Sequence, residues 1–160
     1  MTGKTSYGRW CQTIYGQYLP NCNQLRMIQI TDDLRTARAI ALLEFLDRGA
    51  GFAKIMVFTG PRAVLVTDIP PLASTMMVEL ILKKPSGSIN QGFLLLEQAQ
   101  SNMVMATGEP TWARVVNGEG VTAFDCDAGG PAVLGTWELK MSQDVLYAGG
   151  YALLSETRIR

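Results

Sequence analysis

The sequence predicts a mainly β fold: an antiparallel β-sandwich of jelly-roll type, with one amphipathic α-helix and an extended N-terminal arm ahead of it. Three observations carry this. After Gly51 the chain breaks into short apolar runs separated by turn residues. No helical period intervenes between those runs, which favours antiparallel strands over β-α-β units. One segment alone, Asp32 to about Arg48, keeps a sustained helical period with start and stop signals.

Residues 1–29 form the expected arm, and 30–160 the expected single helix-plus-sandwich domain. The arm opens on polar Thr2 to Ser6. It then carries Tyr7, Trp10, Ile14, Tyr15, Tyr18 and Leu19 before Pro20-Asn21. Tyr7, Trp10, Ile14 and Tyr18 share one helical face, although Gly8 and Gly16 weaken a helix there. The segment either folds back on its own core or docks on a neighbouring subunit, since Trp and Tyr concentrate in interface hot spots. Tyr7, Trp10, Tyr15 and Tyr18 are accordingly the candidate partner-binding residues. Leu25 to Ile30 reads as a short strand or extended lead-in.

Thr31 is placed to cap a helix through its hydroxyl, and Asp32 and Asp33 put negative charge on the first turn. Leu34, Ala37, Ile40, Ala41, Leu43 and Leu46 recur at helical spacing and form the expected buried stripe. Gly49 and Gly51 supply the stop. The strand runs then follow as Phe52–Phe58, Ala63–Thr67, Met76–Lys83, Gly92–Glu97, Met103–Ala106, Thr111–Asn117, Val121–Asp125, Val133–Lys140 and Tyr151–Arg158. Pro85-Ser86-Gly87 reads as punctuation. In Met76–Lys83 the alternation puts Val78, Leu80 and Leu82 inward with Glu79 and Lys83 outward. Asn117-Gly118-Glu119-Gly120 reads as a hairpin loop.

Composition narrows function mainly by exclusion. Fourteen basic and fourteen acidic residues cancel, which leaves no global field to hold a phosphate backbone, so nucleic acid is not an expected partner. No apolar stretch reaches the roughly twenty residues of a membrane span, so no membrane association is expected. Histidine is absent, which removes the commonest general base and metal ligand and every Ser-His or Cys-His arrangement. No catalytic residue, metal site or cofactor is expected. Asp125 and Asp127 could hold a hard cation but lack the remaining ligands of a calcium loop, and they read as turn-capping carboxylates. Gly3-Lys4-Thr5 echoes the end of a P-loop without its upstream glycine or strand. Trp112, Trp137, Tyr147 and Tyr151 read as core or rim packing. Cys11 and Cys22 are spaced so that a disulfide fits. With no signal peptide, reduced thiols are the simpler expectation.

The order of several motifs resembles a group of small tailed-phage and prophage virion proteins. They are Ile30-Thr31-Asp32-Asp33-Leu34-Arg35-Thr36-Ala37-Arg38, Leu46-Asp47-Arg48-Gly49-Ala50-Gly51 and Phe58-Thr59-Gly60-Pro61-Arg62. Val78 to Pro85, Ala106 to Arg114, and Tyr147-Ala148-Gly149-Gly150 follow in the same order. The resemblance implies a non-enzymatic structural subunit with a β-sandwich body. A neutral, compact chain suits a capsid decoration or cement protein, stabilising the head shell through contacts repeated by symmetry. The expected partners are then other virion proteins, the major capsid protein first, and further copies of the chain. Its expected place is the virion, assembled in the host cytoplasm. A tail, neck or fibre-attachment component and a small host-glycan-binding module are the alternatives.

Overall fold

A computed structural model of the chain describes residues 30–132, 139–155 and 157–159. Tyr7, Trp10, Tyr15 and Tyr18, the Cys11–Cys22 pair, Trp137 and the lead-in before Ile30 lie outside the described residues. Thr31–Arg160 forms one compact unit.

The helix forms where its local signals put it. α1 runs Asp32–Leu46, Thr31 Oγ1 accepts from Leu34 N at 3.3 Å, and Asp32 and Asp33 occupy the first turn. Gly49 ends the segment in the left-handed region at φ 84°, which costs a glycine nothing sterically. The buried face matches the expected stripe at Leu43 and Leu46 and differs from it elsewhere. Ala39 and Leu46 are buried, and Leu42, Leu43 and Phe45 pack beside them on the core. Ala37 and Ala41 face out, as do Leu34 and Ile40 at 48% and 43% exposure. Both sets recur at helical spacing, and the sheet decides between them by accepting the larger Leu42-Leu43-Leu46 side.

The strands are β1 Lys54–Thr59, β2 Thr75–Asn90, β3 Phe93–Gln98, β4 Asn102–Met103, β5 Trp112–Val116, β6 Thr122–Gly129, β7 Leu139–Lys140, β8 Tyr151–Ala152 and β9 Arg158–Ile159. Seven of them form one sheet in the order β7-β6-β5-β1-β2-β3-β9, and β4 pairs β8 in a small second sheet. A bridge from Met141 to Leu154, with Ser142 N on Leu153 O and Ser155 N on Lys140 O, ties the β7 end to the chain leading into β9. The main sheet thereby nearly closes on itself, which leaves little free strand edge. The mainly β expectation with one helix holds, in a form closer to a barrel than to two open faces.

Side chains alternate across this wall. Ile55 faces Leu80, Val57 faces Val78 and Ala113 faces Cys126 on the inside. Val78, Leu80 and Leu82 point inward, while Glu79 pairs with Lys54 and Lys83 with Glu97 outside. Lys83 donates to Glu97 and, with Ser88, holds that carboxyl below its ordinary pKa. This pair contributes fully above the ordinary carboxylate range, and the contribution is lost as pH falls through the lowered value.

Four expectations about strands are corrected. Ala63–Thr67 is a loop with no strand in it. β2 continues through Pro85-Ser86-Gly87 instead of ending there, with its pairing to β3 shifted between Leu82 and Gly87. A side chain at Gly87 would meet the backbone of Leu95 and Leu96, and such close approach is what a glycine inside a strand permits. β6 and β7 pair in parallel, against the all-antiparallel expectation. Tyr151–Arg158 is divided between β8, the Leu154 bridge and β9.

α1 packs on β2 and β3, and Gly118 N donates to Leu46 O where the Asn117–Gly120 hairpin loop meets the helix end. A Cβ on Gly118 would lie 2.5 Å from Arg48 O and closer still to Gly51 O. The last turn of α1 holds no basic residue. Lys84 of β2 instead holds the segment beyond the helix, donating to Gly49 O at 2.6 Å and Gly51 O at 3.3 Å. Asp47 meanwhile accepts from Ser86 N at 2.9 Å and Ser86 Oγ at 2.5 Å. Replacing Lys84 by Met should therefore lower stability by about 1 kcal/mol, the usual net worth of a hydrogen bond of this kind. A urea titration showing an unchanged midpoint would remove this role.

Candidate docking surface

The register places α1 and the loop 60–74 at opposite ends of the sheet. Lys54 of β1 lies beside Val116 and Ile81 at the helix end, and Thr59 lies beside Thr75 at the other. The chain between Thr59 and Thr75 is therefore a loop whose ends meet. Gly60 turns into it at φ 98°, and a Cβ there would lie 2.7 Å from Ala73 O. Ser74 Oγ donates to Pro61 O, and Ser74 N donates to Pro71 O at 2.8 Å. Within the loop, Asp68 closes a turn: its carboxylate accepts from Leu65 N at 3.1 Å and its N donates to Leu65 O at 3.0 Å.

The support beneath the loop comes from the outer face of β5 and β6. Trp112 and Arg114 point away from the barrel interior, as do Asp125 and Asp127 across the strand pair. Yet Trp112, Arg114 and Asp125 are buried. Arg114 pairs with Asp125 through two parallel hydrogen bonds, Nε to Oδ1 and Nη2 to Oδ2, each 2.8 Å. Its remaining Nη1 donates to the Asp68 carbonyl at 2.7 Å. A guanidinium satisfied in this forked way is strong and directional. The hydrogen bond to Asp125 raises the Arg114 pKa against the opposing effect of burial. A cation with a raised pKa contributes fully below its ordinary value and is lost only in strong alkali, so Arg114 stays cationic at neutral pH. Trp112 stacks on Phe58 with centroids 4.3 Å apart, and Arg114 lies 5.8 Å from the Trp112 ring centre. At the rim Arg62 pairs with Asp127 at 3.3 Å.

Asp125 is thus the cross-strand ion-pair partner of Arg114, and Asp127 pairs with Arg62 of the loop; neither is a turn cap. Among the described residues no group of three or more His, Cys, Asp or Glu side chains is gathered as metal ligands. No helix of the described residues is long and apolar enough to cross a membrane.

What this brace presents is apolar. Val64, Ile69 and Leu72 are 94%, 87% and 106% exposed, and Leu65 and Val66 are exposed beside them. The loop's two charged residues each have a partner within the chain, Arg62 pairing with Asp127 and Asp68 accepting from Leu65 N, and both stay exposed. Near the same end, Met105 N donates to Met77 O, and Leu146 bridges Gly108, which neighbours Met77 and Thr59. Met105 and Tyr147 are exposed there. Tyr151 is exposed as well, whereas Trp112 is buried.

The sequence reading missed this loop. The available signal was an apolar run enclosed by Pro61 and Pro70-Pro71 with no polar alternation, which does not fit a half-buried strand. Its supporting residues, Trp112 and Arg114, sit in the Ala106–Arg114 motif. No protein-family model matches this chain, no curated protein matches it, and no solved structure matches it.

Proposed function

We propose that this chain is a structural subunit of a phage or prophage virion, a decoration or cement protein of the head shell that acts by packing and not by catalysis. The observation that carries this reading is the 61–74 loop: aliphatic side chains stand almost fully exposed on a backbone held by a buried ion pair. Solvent-exposed apolar patches of this kind mark contact surfaces. The brace removes in advance the ordering cost that a loose loop would add to binding. The motif order that resembles small tailed-phage and prophage virion proteins supports the particle as the place of contact. The major capsid protein is the partner this reading assigns, with assembly in the host cytoplasm.

Quantitative mass spectrometry of purified particles tests it. A head-coating subunit should be present at about hundreds of copies per particle, and a tail or neck component at about six to a few dozen, as symmetry dictates. The lower number would move the subunit off the shell. Absence from particles would overturn the virion reading altogether.

A further inference from the structure

We propose that Asn117 is a covalent modification site of this chain: a deamidation site that the packing of the helix end on the Asn117–Gly120 hairpin loop holds shut. This property belongs to the isolated chain and is independent of the virion reading.

The packing fixes both residues of the reacting pair. Gly118 lies against the segment that follows α1, where a Cβ on it would come 2.4 Å from Gly51 O and 2.5 Å from Arg48 O. Both are backbone atoms, so no change of rotamer makes room. The approach is as close from the other side, since a Cβ on Gly51 would lie 2.6 Å from Gly118 O. Position 117 in turn needs a short side chain with an acceptor. Asn117 Oδ1 accepts from Glu119 N at 3.0 Å and Val121 N at 2.8 Å, and so closes the loop. The outcome is the one Asn-Gly pair in the sequence, the other four asparagines preceding Cys, Gln or Met.

An Asn-Gly pair carries its own nucleophile. The Gly118 amide nitrogen, its proton given up to solvent base, attacks Asn117 Cγ and closes a succinimide ring. The Cγ–Nδ2 bond breaks, and the nitrogen leaves as ammonia after taking a proton from water. Glycine puts no side chain in the way of this attack, whereas Gln91 and Met103 crowd the same step after Asn90 and Asn102. Water then opens the imide. Its addition at Cγ leaves an aspartate, and its addition at the main-chain carbonyl leaves an isoaspartate, whose backbone is longer by a methylene.

An intramolecular attack of this kind is fast only when the reacting atoms can come into line. The fold withholds that alignment. Gly118 N donates to Leu46 O at 3.2 Å, which commits its proton to the helix end. Asn117 is 2% exposed, and its carboxamide oxygen holds two amides in place. Asn117 N on Val121 O and Gly120 N on Asn117 O, each 2.9 Å, fix the backbone on both sides. Ring closure therefore requires the loop to leave the helix end, a local opening of the kind that also exchanges amide hydrogens. An isoaspartate lengthens the chain where Gly118 and Gly51 already touch, so each such event leaves the helix end permanently looser.

Incubating the full chain in mildly alkaline buffer, folded and in denaturing urea, tests this gate. Trypsin cleavage after Arg114 and Lys140 releases a peptide whose one asparagine is Asn117. Its mass and chromatographic retention separate the amide, aspartyl and isoaspartyl forms. In urea Asn117 should react first among the asparagines. In the folded chain it should react at least about tenfold more slowly, because only the locally opened fraction reacts. Gly51→Ala sets a methyl group against Gly118 O and should raise the folded-state rate several-fold with circular dichroism unchanged. Lys84→Met removes the bonds to Gly49 O and Gly51 O and should raise it too, which keeps the test decisive if Gly51→Ala does not fold. Equal rates in the folded and unfolded chain would overturn the proposal. So would a folded-state rate that neither variant raises, or an unfolded chain in which Asn90 or Asn102 reacts before Asn117.

Discussion

Replacing Arg114 by Met should lower the stability of the chain by about 3–5 kcal/mol, the usual cost of removing one partner of a buried ion pair. Asp125 would be left with its carboxylate buried and without the two 2.8 Å bonds that hold it. The Asp68 carbonyl would lose its donor in the same step. In a chain of this size a loss of that order lowers the melting temperature by roughly 10 °C. The companion variant carrying Asp125→Leu as well should recover most of the loss. Well-packed apolar replacements of a buried pair are often close to neutral. Thermal or urea unfolding of the wild type, the two single variants and the double variant gives the coupling directly. The loop has its own readout. In Arg114→Met the amides of Leu65 and Asp68 should lose protection from hydrogen exchange more than the amides of β1 do. Equal loss across both regions would mean that Arg114 supports the barrel generally and does not brace the loop.

The second large effect is expected at Trp112. Truncation to Ala should cost about 3–5 kcal/mol, as for other buried aromatic side chains. It removes the stack on Phe58 and opens a void under the 61–74 loop. Trp112→Phe should cost much less, about 1–2 kcal/mol, because a ring still faces Phe58. Among the described residues no group accepts from the buried indole Nε1, so this change leaves no acceptor of theirs unpaired. The contrast between the two variants is the test. A Phe variant as unstable as the Ala variant would show that the indole nitrogen has a partner on which the fold relies.

These two positions show how site and fold divide between local and distant information. Trp112 and Arg114 lie two apart on β5, so the period of a strand already places them on one face. That this face is the outer one, and buried nevertheless, depends on a loop folding over it from the far side of β1. Arg114 reaches Asp68 across 46 positions in sequence, and no local pattern encodes such a pairing. Ala63–Thr67 was misread for the same reason. Its composition suits a strand, but Gly60-Pro61 and Pro70-Pro71 confine it, and the neighbouring edges of β1 are already taken by β2 and β5. With no strand left to pair, the segment closes its own turn at Leu65 and Asp68.

The sequence by itself determined what depends on neighbours in the chain. It determined the helix from Asp32 with its Thr31 cap, the mainly β character, the hairpin at Asn117–Gly120 and the inward set Val78, Leu80 and Leu82. Caps, turns and alternation act over a few residues, and each is complete within its own segment. The tertiary structure alone decided which helix face is buried, and that β6 and β7 run parallel. It also decided that β2 passes through Pro85, that the sheet nearly closes, and that five apolar side chains of the loop are left in water. Each of these is settled by competition among distant segments for the same surface. Hydrophobicity says that a side chain gains by burial but not which surface will receive it. At the 61–74 loop, none of the described residues does.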